Sequence, residues 1–168
     1  MTANADNVIL IGMPGVGKST VGVLLAKASQ RGFLDTDVEL QARAGCSLER
    51  LIEERGTEGF LRAESDCVLA LNVRRHVIAT GGSVVYSEAA MRHLKAGGVV
   101  VHLDLPPALL DRRLGDLRVR GVVMPDGGSL VELWQDRTPR YRAWADLTVD
   151  GTGKTQDQVA AEILSRLD

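Results

Sequence analysis

The stretch that decides the fold is NVILIGMPGVGKSTVGVLLAKA, residues 7–28. An apolar run, NVILIG (7–12), passes into a glycine-rich loop and then, at Lys18 and Ser19, into a helical segment. Residues Gly12 to Ser19 satisfy G-x-x-x-x-G-K-[ST] at every fixed position, between a strand and a helix as the motif requires. Gly15 and Gly17 let backbone N–H groups turn inward around phosphate oxygens with no Cβ in the way. The following helix points its positive end at the same phosphates. The loop predicts a nucleoside triphosphate site over Gly15, Val16, Gly17, Lys18, Ser19 and Thr20. Lys18 neutralises the β- and γ-phosphates there, and the Ser19 hydroxyl ligates Mg²⁺.

Working outward, GFLD (32–35), VIAT (77–80), VVVHLDL (99–105) and DLTVD (146–150) are further short apolar runs with strand character. Helical segments are expected at about 18–30, 47–54, 57–74, 87–96, 106–114, 129–142 and 156–167. Continuous apolar strands alternating with helices predict an α/β domain, a mainly parallel sheet covered on both faces. DGTGKT (150–155) mimics a second phosphate loop, but Thr148 stands where its first glycine belongs. Thr155 as the N-cap of the last helix explains that stretch. GDLRVRGVVMPDGGS (115–129) has no clean period, and a loop of this length in a compact domain predicts a lid.

A chain of 168 residues fits one domain with a substantial core. The net charge of -2, with both signs mixed, gives no basic stripe for a nucleic-acid backbone. No apolar run approaches the ~20 residues that cross a bilayer. MTANAD at the N-terminus lacks signal-peptide character. Cys46 and Cys67 have no metal-like spacing and suit a reducing compartment. The expectation is a monomeric cytoplasmic protein acting on a small molecule, without nucleic-acid or membrane partners.

A guanine-specifying N-K-x-D element is absent, and VIAT runs into Gly81, Gly82 and Ser83 rather than the acid that motor ATPases carry. Asp35 and Asp37 instead follow the second strand. This suits a small-metabolite kinase, one carboxylate holding magnesium water and the other facing an acceptor hydroxyl. Alternatively, Asp37 N-caps a helix beginning at Val38. Arg118 and Arg120 can each bring charge to the transferring phosphoryl group when a lid closes. Arg137, before Thr138 and Pro139, is expected at a helix end, where a bidentate clamp on a carboxylate fits.

In order and over nearly the whole chain, GMPGVGKST, DTD (35–37), GTEGFLRAE (56–64), VIATGGS (77–83) and DRTPRY (136–141) resemble the shikimate kinase family. The resemblance implies a three-layer P-loop kinase fold with a five-stranded parallel sheet and a mobile lid. It also implies transfer of the γ-phosphoryl group of ATP to the 3-hydroxyl of shikimate. By the same resemblance Asp35 helps organise Mg²⁺, and Asp37 binds substrate hydroxyls and acts as base. Gly81 and Gly82 bring backbone N–H groups to the substrate, Arg137 holds its carboxylate, and Arg120 reaches the phosphoryl group. Homoserine, or another small hydroxy acid, is the alternative acceptor on the same fold; a nucleotide-binding module without transfer activity is the alternative of another class.

The sequence departs from the family pattern at three points. Anchoring on Phe60 and Glu64 puts Leu61 where the family has a carboxylate-binding arginine. At ~100° per residue, Phe60, Glu64, Cys67, Val68 and Leu71 share one arc, with Leu61 at its edge. Arg62 lies near ~200°, on the opposite side, and cannot take the anchor's place. Glu64 within that arc needs a cationic partner such as Arg137 or the lid, or a contact with substrate. Ser83 replaces a glycine, and Gly121 follows Arg120 where the family has proline.

Overall fold

A computed structural model describes residues 7–114, 122–124 and 128–167. Five strands form one parallel sheet: β1 (Asn7–Ile11), β2 (Gly32–Asp35), β3 (His76–Ala79), β4 (Gly98–Asp104) and β5 (Leu147–Asp150), ordered β2-β3-β1-β4-β5. Central β1 pairs with β3 through Val8–Val77, Ile9–Ile78 and Leu10–Ala79, and with β4 from Asn7–Gly98 to Ile11–His102. Successive strand residues point to opposite faces. Val8, Ile9, Leu10 and Ile11 are all buried, so both faces of the sheet are covered and the architecture has three layers.

The helices are α1 (Lys18–Ser29), α2 (Thr36–Ala44), α3 (Leu48–Leu69), α4 (Glu88–Gly97), α5 (Pro107–Arg113), α6 (Leu130–Trp144) and α7 (Gln156–Leu167). The periodic segments omit α2, expected only as a helix starting at Val38, because only Thr36 and Leu40 of its nine residues are buried and it shows no apolar stripe. The predicted break near residue 56 is a kink, since Gly56 at φ 69°, ψ 177° leaves helical geometry inside α3. That helix stops at Leu69 rather than 74; Arg75, at φ 55°, turns the chain into β3. Thr155 does cap α7: its hydroxyl accepts from Gln158 N at 3.2 Å, and Gln158 Oε1 accepts from Thr155 N at 2.8 Å. Among the described residues no helix is long and apolar enough to cross a membrane, and both cysteines are free.

The chain leaves β1 for β2 on one side, fills the gap with β3, then crosses to β4 on the other side. Strand order therefore reverses at β1, and ligands of open α/β sheets bind beyond the carboxyl ends of strands at such a point. The phosphate loop, Asp35 and the Thr80–Ser83 turn all issue from these ends.

Candidate active site

A cavity of about 380 Å³ opens over these strand ends. On its nucleotide side Gly17, at φ 105°, is the N-cap of α1, a left-handed conformation that costs a side-chain-bearing residue dearly. Lys18 is buried, and its Nζ donates to Gly12 O at 2.7 Å and Met13 O at 2.9 Å. Two of its three donors are thus fixed in the loop, which leaves one for a phosphate oxygen. Burial lowers its pKa to about 8 against the opposing pull of Asp37. Gly15, Gly17, Ser19 and Thr20 line the cavity, whereas Val16 turns its side chain into the core.

Ser19 Oγ donates to Asp35 Oδ2 at 2.5 Å. Asp35 Oδ1 accepts from Asp37 N at 2.9 Å and Val38 N at 3.4 Å. Asp35, not Asp37, is the N-cap of α2, which corrects the alternative reading of Asp37. The Asp37 carboxylate lies in the first turn and on the cavity wall, free of capping duty. Desolvation, then the neighbouring Asp35 charge, raises its pKa to about 6, with Lys18 opposing. The hydroxyl and carboxylate of Ser19 and Asp35 form a hard oxygen pair that fits Mg²⁺, which keeps waters and phosphate oxygens in its shell. Among the described residues no group of three or more His, Cys, Asp or Glu is placed to hold a metal ion.

The opposite side of the cavity is built on the turn after β3. Thr80 Oγ1 donates to Leu10 O at 2.9 Å, Gly81 N donates to Thr36 Oγ1 at 3.0 Å, and Tyr141 Oη donates to Gly82 O at 2.5 Å. Three elements thereby pin the turn. A Cβ on Gly81 would overlap Glu64 Oε2 and lie 2.8 Å from Asp37 Oδ1, so a side chain there would displace these two carboxyls. Glu64 is buried within the predicted apolar arc with Phe60, Cys67, Val68 and Leu71. Its partner is neither Arg137 nor any other cation among the described residues: Ser83 Oγ donates to Oε1 at 2.7 Å. Burial raises its pKa to about 7 against the Ser83 hydrogen bond.

Arg137 is 1% exposed and stands in the middle of α6, not at a helix end. Nε donates to Tyr86 Oη at 3.2 Å, and Nη2 donates to Val123 O at 2.9 Å. Nη1 faces Gly82, where an added Cβ would come within 2.9 Å. Tyr86 Oη donates in turn to Asp136 Oδ2 at 2.5 Å. No carboxylate of the described residues forms an ion pair with Arg137, although it lines the cavity.

Leu61 is half-buried and packs with Val123 in the cluster around Leu40, Leu51 and Phe60, while Arg62 is exposed, as helix geometry predicts. Arg118, Arg120 and Gly121, with most of the predicted 115–129 lid, lie outside the described residues. Sequence reasoning misses Arg113 and Gln156, which line the cavity beside the phosphate loop. Arg113 Nη1 donates to Val16 O at 3.3 Å. Arg113 closes an ordinary amphipathic helix and Gln156 opens one, so neither carried a signal.

The shikimate kinase family model matches residues 14–168. A shikimate kinase of Thiobacillus denitrificans is 36% identical over 166 residues, covering 97% of this chain and 91% of that protein. Among solved structures, a shikimate kinase from Acinetobacter baumannii in complex with shikimate superposes with a TM-score of 0.90 at 30% identity, over 96% of this chain and 92% of that one. A shikimate kinase from Aquifex aeolicus superposes with a TM-score of 0.81 at 32% identity, over 96% and 95% of the two chains.

Proposed function

The chain belongs to the shikimate kinase family of phosphotransferases, and from that membership we propose that its cavity binds ATP at the phosphate loop and shikimate against the Gly81–Gly82 turn. The observation that carries the acceptor assignment is Arg137, a buried guanidinium without an ion-pair partner among the described residues, on the wall of the cavity. A buried guanidinium held only by neutral acceptors and the Tyr86 ring carries part of its desolvation cost in the free protein, and an anionic acceptor relieves that cost. Asp37 and Glu64 beside it accept hydrogen bonds from ring hydroxyls.

Phosphoryl transfer is chiefly positioning and charge stabilisation. Lys18 spends its remaining donor on the β/γ oxygens, and α1 directs its positive end at them. Asp37 orients the acceptor hydroxyl and takes its proton; a carboxyl with pKa raised to about 6 suits a base working near neutral pH. Ser19 and Asp35 would hold Mg²⁺, which when bound supplies charge neutralisation at the phosphates. Arg120, outside the described residues, brings further charge to the phosphoryl group from the loop.

Two carboxyls against one guanidinium also favour a second reading, a zwitterionic hydroxy acid such as homoserine, with its ammonium between Asp37 and Glu64. An acceptor panel reading ADP release separates the two. Shikimate-dependent turnover supports the first reading; turnover with homoserine alone supports the second. Leu61→Arg run in parallel is expected to lower the KM for shikimate if the new guanidinium reaches from the apolar cluster past Val123, which lines the cavity, to the acceptor carboxylate.

A further inference from the structure

Glu64 satisfies only half of its carboxyl. Oε1 accepts from Ser83 Oγ at 2.7 Å, while Oε2 is buried and has no hydrogen-bond partner among the described residues. Oε2 stands over Gly81 on the cavity floor, beside Asp37 Oδ1. A purely structural buried pair would satisfy both oxygens, since an orphaned acceptor costs free energy. Among the described residues no cation does the work on Oε1: Leu61, one turn earlier on α3, packs in an apolar cluster, and Arg62 is exposed. Among the described residues, the charged groups facing Glu64 from other elements are Asp37 of α2, Lys18 of α1 and Arg137 of α6, none of them in a salt bridge with it.

We propose that Ser83 is a positioning residue for the acceptor: its hydroxyl fixes the ionised Glu64 carboxylate with Oε2 turned to accept a hydrogen bond from an acceptor hydroxyl. This rests on the reading of the cavity as the acceptor site. Ser83 belongs to the turn that carries Gly81 and Gly82, so one hydrogen bond ties the turn to α3 and sets the height of Oε2 above the acceptor. A hydroxyl donor favours the charged carboxylate, as a guanidinium does, without adding charge. Its loss therefore makes Glu64 protonate at higher pH, and acceptor binding fails at higher pH with it.

The test compares wild type, Ser83→Ala, Ser83→Gly and Ser83→Thr in two assays. Ser83 has an ordinary backbone, φ −88°, ψ −2°, which Ala and Gly both adopt. Carboxyl ¹³C NMR of Glu64, assigned by its loss in Glu64→Gln, needs no acceptor. The midpoint is expected to rise by about one unit in Ser83→Ala and Ser83→Gly, and to return toward wild type in Ser83→Thr. The acid limb of kcat/KM for shikimate should move up with it, raising KM about tenfold on that limb while the KM for ATP holds. An unmoved Glu64 midpoint, or superimposable kinetic profiles, overturns the assignment of Ser83. Absence of shikimate turnover by the wild type across the pH range overturns the acceptor reading instead, and the NMR midpoint still decides whether Ser83 holds Glu64.

Discussion

Replacing Arg137 with methionine separates what the residue does for binding from what it does for folding. Its guanidinium is buried, with Nε on Tyr86 Oη, Nη2 on Val123 O and no ion-pair partner among the described residues. Deleting it loses those two hydrogen bonds, each about 1.5–3 kcal/mol when one partner is charged. Against this stands the desolvation of the guanidinium, several kcal/mol, which methionine avoids. The terms offset, so net stability should stay within about 2 kcal/mol, a Tm change of under ~8 °C for this chain length. Acceptor binding has no such offset. Leu61 contributes no second cation, so a bound carboxylate would lose its charge-assisted clamp, which costs about 2–5 kcal/mol when the pair is buried. That predicts a KM for shikimate about 30- to 4,000-fold higher. Thermal melts give the first quantity, and ADP release at varied shikimate and fixed saturating ATP gives the second. A folded Arg137→Met enzyme with a KM within threefold of wild type would refute the clamp.

Asp37→Asn should abolish acceptor phosphorylation while ATP affinity holds and Tm at neutral pH does not fall, because Asp35 caps α2 and burial pushes the Asp37 carboxyl up to about 6; Asp35→Ala should instead cost about 0.5–2 kcal/mol of stability and raise the Mg²⁺ concentration needed for activity. Glu64 titrates near 7 in the fold against an ordinary 4.5, so the stability it contributes is full below about 4.5 and is lost as pH rises through about 7. At 1.36 kcal/mol per unit this is on the order of 3 kcal/mol, and Glu64→Gln melts should match wild type near pH 4.5 and exceed it by pH 8. If Arg120 contacts the phosphoryl group mainly in the transition state, Arg120→Ala will lower kcat more than it raises the KM for ATP; a pure KM effect would move that role to Arg118.

The parts of the site that depend on local chain geometry were legible in the sequence. The phosphate loop is one continuous segment, and its motif carries both the glycine conformations and the placement of Lys18 and Ser19. Helical spacing also put Glu64 in the apolar arc and Arg62 outside it. What depends on distant residues was not legible. Ser83 reaches Glu64 across 19 residues, and Tyr86 meets Arg137 across 51, with no pattern to announce either contact. The exchange of roles between Asp35 and Asp37 turns on where α2 begins. Since β2 passes into α2 with no intervening loop, the last strand residue becomes the cap. Arg137 looked like a helix-end residue because Pro139 suggests termination, yet α6 continues to Trp144.

The central claim is that a phosphoryl group passes from the loop at Lys18 to a hydroxyl held between Asp37 and Arg137. Phosphorus NMR follows that group directly, with purified protein, ATP, Mg²⁺ and shikimate in one tube. The account predicts that the γ-phosphate resonance decays into a new phosphate-monoester resonance correlated with the proton on shikimate C3, and that Asp37→Asn yields none of it. Decay into inorganic phosphate alone, or a monoester on another hydroxyl, would contradict it.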